Sequence, residues 1–292
     1  MRLTAASGVA YFMPRFFLRH PTLPGFGLSF GVSTLFISLV ILLPLSALLV
    51  YVSDMSWNQY WRAVTDARVL ASYRVTISSA FWSTVFVTLV GMLLAWILVR
   101  YDFPGRRLLD ALIDLPFALP TAVAGLTLAV LLSPNGWLGQ WFAPYGIKIA
   151  YAYPGLVIAM IFTSLPFIVR SIQPVLADIG TEYEEAAQSL GAGHAQVFFR
   201  VILPALTPAL MTGMSQAFIR SLGEFGAVVM IAGNIPFKTE VTSLMIFFRL
   251  AEYEYGMAAA IASVVLAASL LLLFGLQWLQ GWILPWQKGK QS

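Results

Sequence analysis

The chain contains no cysteine, which excludes disulfide staples, iron–sulfur ligation and thiolate zinc sites. Histidine is nearly absent too: His20 and His194 stand in distant regions, so neither is expected to be a metal ligand. Charged residues make up only 10% of the 292, where a soluble domain carries about 25%. Too little charge lies outside the apolar runs for a separate soluble domain. No GxxxxGK[ST] loop occurs, so the chain lacks that cradle for nucleotide phosphates and must draw any such energy from elsewhere.

What remains is apolar. Hydrophobic residues account for 59% of the chain, and the mean hydropathy is +0.82. Runs of about 20 apolar residues suffice to cross a hydrocarbon core of about 30 Å. Six are read here: 30–52, 75–99, 108–132, 152–169, the stretch from Pro204 to 230, and 256–279. The expected fold is an all-α membrane protein. Residues 1–28 form an N-terminal arm, 29–281 the transmembrane domain, and 282–292 a C-terminal tail. No strong internal repeat is visible, and no cleaved signal peptide is expected, since no apolar core directly follows the first basic residue and no small-residue cleavage site is obvious.

The basic residues orient this layout. With the N-terminus inside, Arg2, Arg15, Arg19, Arg100, Arg106, Arg107, Arg170, Arg200, Lys288 and Lys290 share the inner side. Arg62, Arg68, Arg74, Lys148, Lys238 and Arg249 fall outside, and Arg220 is unassigned. The excess is moderate, but every short inner connection agrees with it. The net charge of +4 therefore fits inner loops better than a stripe tracking nucleic acid. Pro44, Pro116, Pro120 and Pro166 interrupt spans, and the first turns of the third are expected to lie along the surface. Asp110 and Asp114 share one helical face there, and Arg170 closes the fourth span.

Residues 171–203 are the longest polar interruption, with Asp178, Glu182, Glu184, Glu185, Gln188, His194, Gln196 and Arg200. Their pattern predicts two short helices reversing at Gly191 and Gly193, with Glu182, Glu185 and Ser189 on one polar face. Ala186 and Ala187 lack bulk, which lets a helix seat closely in a groove. Pro204 is expected in the first turn of the following helix, where a missing N–H is tolerated.

Glu185-Ala186-Ala187, three residues, Gly191, nine residues, Val201, one residue and Leu203-Pro204 closely resembles the cytoplasmic motif of ABC importer permeases, with Val201 where isoleucine is common. The six-span layout and Arg220-Ser221-Leu222-Gly223-Glu224-Phe225-Gly226-Ala227 are similar to the sulfate/thiosulfate permease subunits and their molybdate relatives. The resemblance implies a type I, MetI-like importer permease in the bacterial inner membrane, with both termini cytoplasmic. It implies a homologous second permease, two ATPase subunits holding ATP and Mg, and a periplasmic sulfate/thiosulfate-binding protein. No cofactor would bind this chain, which would not itself be an enzyme. Residues 178–203 would couple it to the ATPase, through Glu182, Glu185, Ala186, Ala187, Gly191, Leu203 and Pro204.

Arg220 and Glu224, four apart, can share a helix face inside the fifth span. Either charge costs a few kcal/mol in hydrocarbon, so both are expected to face protein, water or each other. Two roles stand open. Arg220 could draw an oxyanion into the pathway with Glu224 holding it; alternatively the pair closes a buried network or gate, with Ser221 and Gly223 permitting close packing. Residue chemistry does not choose among sulfate, thiosulfate, molybdate, tungstate and phosphate. A secondary anion transporter and a membrane scaffold recruiting a soluble partner are the competing classes.

Overall fold

The computed structural model describes residues 26–283, and all regular structure among them is helical. His20, the tail lysines Lys288 and Lys290, and the expected N-terminal arm up to residue 25 lie outside the described residues. The chain divides into two compact units, up to Val50 and from Tyr51 onward.

α1, Gly27–Ser53, is the first span. It carries a π turn over Ser38–Leu42, where the Leu43 N–H bonds back to the Ser38 carbonyl. Pro44 follows at once. The wider turn absorbs the bond that the Pro44 nitrogen cannot donate, so the helix continues past the proline.

α2, Trp57–Thr65, is short and amphipathic, burying Ala63 and Val64. Ser56 and Gln59 close its start reciprocally: the Gln59 N–H donates to Ser56 Oγ at 3.3 Å, and the Ser56 N–H to Gln59 Oε1 at 2.9 Å. Asp66 then starts α3, Ala67–Arg100, by accepting the Arg68 N–H at 2.9 Å. Its 34 residues, at about 1.5 Å each, outreach a hydrocarbon core of about 30 Å. α3 is therefore longer than an untilted crossing requires.

Ser72, Thr76, Ser79 and Ser83 recur at helical spacing on α3 and are buried. The first three donate to carbonyls of their own helix at 2.7–2.8 Å, so a small, satisfied face is left for close packing. α4, Arg106–Ala118, and α5, Thr121–Leu132, form the expected broken span, bent by 112°. The break falls at Pro120; Pro116 stays inside α4.

α6, Tyr153–Ile179, runs well past Arg170. Arg170 therefore does not close the fourth span. Its guanidinium reaches Asp114 at 2.5 and 2.8 Å and Asp110 at 2.7 Å, and this neutralisation lets the helix continue. α7, Glu182–Ser189, is a separate short helix. α8 extends over His194–Leu222, with a second π turn at Phe198–Ile202 directly before Leu203 and Pro204. Pro204 falls in the first turn of the α-helical stretch Leu203–Leu222, as expected, and the π turn joins that stretch to His194–Val197 without a break, by the same device as at Pro44.

The fifth span does not continue to 230. α8 ends at Leu222, and α9, Gly226–Ile231, starts after a break at 223–225. α10, Thr242–Ala251, and α11, Tyr255–Ile283, complete the order. Among the described residues five helices are long and apolar enough to cross a membrane, or six when the bent pair counts as one.

The main core joins α3, α6 and α8 through Val87, Leu98, Ile168, Ile172, Ile202 and Leu206. A second close contact joins the half-helices α5 and α9. A Cβ on Gly125 would stand 2.3 Å from the Ala227 carbonyl oxygen, so only glycine fits. Gly223, expected to permit close packing, has no such neighbour: its Cβ would meet nothing nearer than 3.9 Å. We accordingly expect Gly125→Val to cost about 3 kcal/mol, the upper end for overpacking, because the obstacle is backbone. Gly223→Ala should leave the monodisperse fraction in detergent unchanged while Gly125→Val reduces it severalfold.

Candidate functional site

The polar hairpin is built by helix ends. Glu182, Glu184 and Glu185 occupy the first turn of α7, where carboxylates complement the unpaired N–H groups and the helix dipole. Gly191 ends the helix in the left-handed region at φ 86°. Its N–H donates to the Gln188 carbonyl at 2.8 Å, and the Ala192 N–H to the Ala187 carbonyl at 3.1 Å. The reversal at glycine follows the expectation from sequence.

Glu182, Glu185, Ala186 and Gly191 are exposed, and so is Pro204. Leu190 is 90% exposed and Tyr183 62%, so the hairpin presents apolar surface beside its carboxylates. Leu203 is half-buried. The two alanines divide: Ala186 faces outward, whereas Ala187 packs on the core formed by α3, α6 and α8. The small side chain of Ala187 thus serves the protein's own packing.

Arg100 is a residue whose place in the site sequence reading missed. Read only as a marker of the inner side, it lies 2.8 Å from Glu184 and donates to the Gly180 carbonyl at 2.9 Å. Arg170 with Asp110 and Asp114 is another such cluster, to which Gln173 adds a bond from Arg170 at 2.6 Å. The four-residue spacing of the two aspartates was visible; their partner, more than fifty residues away, was not.

The second candidate region is the break after α8. Arg220, in the last turn, lies 2.6 Å from Glu224, whose side chain is 1% exposed. The pair forms although the helix has ended, because the turn keeps near-helical bonds: the Gly223 N–H reaches the Ile219 carbonyl, and the Glu224 N–H the Ser221 carbonyl. Glu224 has two further tasks. Its Oε1 accepts the Ala227 N–H at 2.9 Å and so starts α9, while its carbonyl accepts from Ser243 Oγ at 2.8 Å. Ser221 is fully buried, and its hydroxyl has no partner among the described residues.

At the far ends of the spans a further fork pairs Arg68 with buried Glu240, at 2.8 and 2.7 Å. Arg249 bridges Glu252 and Glu254 at 3.1 and 2.9 Å. Glu252 and Glu254 hold the turn before α11 through this arginine, so their charge is not left free.

Residues 87–288 match the family described as "Binding-protein-dependent transport system inner membrane component". The chain belongs to this family. It is 61% identical over 258 residues to the sulfate transport system permease protein CysT of Escherichia coli (strain K12), covering 88% of this chain and 93% of that one. The CysT of Synechocystis sp. is 46% identical over 251 residues, covering 86% and 88%. Among solved structures, a bacterial ABC transporter involved in the import of the acidic polysaccharide alginate superposes with TM-score 0.73 at 16% identity, covering 87% of this chain and 95% of that one. The inward-facing MetNI methionine ABC transporter gives 0.54 at 19% identity, covering 77% and 98%. The fold is thus the MetI-like importer-permease fold expected from sequence, and the chain is a multi-pass permease component rather than an enzyme.

Proposed function

We propose that this permease carries sulfate, or thiosulfate, inward through the bacterial inner membrane, with both termini cytoplasmic. The 61% identity to a sulfate transport permease across nearly the whole of both chains is the observation that carries the substrate. On this reading a homologous permease pairs with it, a periplasmic binding protein delivers the anion, and two ATPase subunits hydrolyse MgATP below. The hairpin over 178–203 seats on an ATPase subunit through Glu182, Glu185, Ala186, Gly191 and exposed Leu190, with Ala187 packed on the core and Leu203 and exposed Pro204 where the next helical stretch begins. An exposed leucine at one end of a helix that carries carboxylates at the other suits a groove with an apolar floor and a basic rim on one side.

Arg220 and Glu224 serve this function as a lock rather than as the anion's main site. The carboxylate already engages the guanidinium, and one arginine so held is a weak receptor for a dianion. The test is uptake of radiolabelled sulfate into proteoliposomes holding the reconstituted complex. Uptake should require ATP and the binding protein, with thiosulfate competing. Molybdate competing better than both would overturn the substrate assignment, and uptake by this chain alone would overturn the dependence on partners.

A further inference from the structure

Both covalent joints of α7 run through glycine. Gly180, at φ 65°, separates it from α6, and Gly191-Ala192-Gly193 separates it from α8. Such joints are soft, so the chain path alone would let α7 swing independently of the spans. Its attachment must then come from non-covalent contacts. Two of these are small: Ala187 on α7 and Ala192 within its second joint pack on the core. The third is Arg100, at the last position of α3.

The Arg100 side chain is 11% exposed and that of Glu184 18%, so their 2.8 Å approach is screened little by water. The same guanidinium nitrogen donates to the Gly180 carbonyl at 2.9 Å and so grips the joint itself. Behind it, Arg100 lies 5.6 Å from the centre of the Trp96 ring. Trp96 in turn meets Phe198 edge-to-face at 5.9 Å, and Phe198 opens the π turn of α8. A contiguous set of charged and aromatic contacts therefore runs from α7 through the end of α3 to the one irregular turn in α8.

We propose that Arg100 is the positioning residue that makes the hairpin move with α3 and α8, so that displacement of α7 by a partner ATPase is passed to the spans instead of being absorbed at its glycine joints. This rests on the reading of the hairpin as the ATPase contact. It makes a separate demand: Arg100 and Glu184 should control how much transport each hydrolysed ATP yields, not whether the ATPase is bound.

The complete complex, reconstituted in proteoliposomes with its partner permease, ATPase and binding protein, tests this. Arg100→Gln and Glu184→Gln should assemble normally and hydrolyse ATP, yet deliver about tenfold less sulfate per ATP, within the range over which mutations along a coupling network act. Arg100→Glu combined with Glu184→Arg should recover several-fold over Arg100→Glu alone, which general loss of stability would not produce. A spin label at exposed Gln188 should gain mobility in Arg100→Gln. Unchanged sulfate per ATP in both single variants would overturn the proposal, and so would failure of the reversed pair to recover. If Leu190→Asp leaves the ATPase bound, the contact reading itself has failed; that result is scored by co-purification, independently of the ratio.

Discussion

Leu190→Asp in the assembled transporter is expected to lower ATP-driven uptake about a hundredfold, the loss that a central contact residue of an interface carries. The side chain is 90% exposed; replacing it should change the chain's own stability by no more than about 0.5 kcal/mol. Any large effect must then come from a surface that leucine meets. Glu185→Arg acts at the same face through charge, and Gly191→Val acts on the reversal. At φ 86° a β-branched residue is strained by about 1–3 kcal/mol, so the hairpin should reopen and misplace α7. All three variants should keep the protein in the membrane at ordinary levels; Leu190→Asp should lose the ATPase, whereas Glu185→Arg and Gly191→Val should separate ATP hydrolysis from uptake. Co-purification of the ATPase, hydrolysis rate and sulfate uptake are the measurements. Normal coupling in Glu185→Arg and Gly191→Val would sink the hairpin's role.

The hairpin could be read from sequence because its determinants are local. Carboxylates open a helix, a glycine closes it, and both lie within a few residues of the backbone groups they satisfy. Span number was equally legible, since bilayer thickness sets the length of each apolar run. Span ends were not. Arg170 looked like a terminus because its charge is visible in sequence and its pairing with the two carboxylates on α4 is not. Pro204 did mark the start of an α-helical stretch, but the π turn that joins this stretch to the helical turn before it is a tertiary compromise, not a sequence signal. Arg100 was missed for the same reason: its partner Glu184 lies on another element, and the one clue, a lone arginine ending an apolar run, equally marks an inner loop. Arg220 and Glu224 fell between these cases. Their spacing announced the pair, but the break that places Glu224 at the head of α9 depends on a bond to Ala227.

That double use of Glu224 makes the break the place where single and paired substitutions should differ most. Arg220→Gln leaves the carboxylate buried, at 1% exposure, with its cation gone. Removing one partner of a buried pair costs about 3–5 kcal/mol, and the Arg220 side chain is one-third exposed, which places the expected loss near the lower end, about 3 kcal/mol. Glu224→Gln keeps an acceptor for the Ala227 N–H, so α9 should still start, but it strands an arginine inside a span, a cost of a few kcal/mol. Arg220→Gln with Glu224→Gln removes both charges and retains the acceptor. This pair should therefore recover most of the thermal stability lost by either single change, measured as the unfolding temperature in detergent. Transport then separates the roles. If the pair is a lock, the double variant should regain an ordinary maximal uptake rate with saturating binding protein, and its ATP hydrolysis should rise in the absence of sulfate. If Arg220 instead contacts the passing anion, maximal uptake stays low in every variant lacking it, however stable the protein becomes, and the lock is excluded.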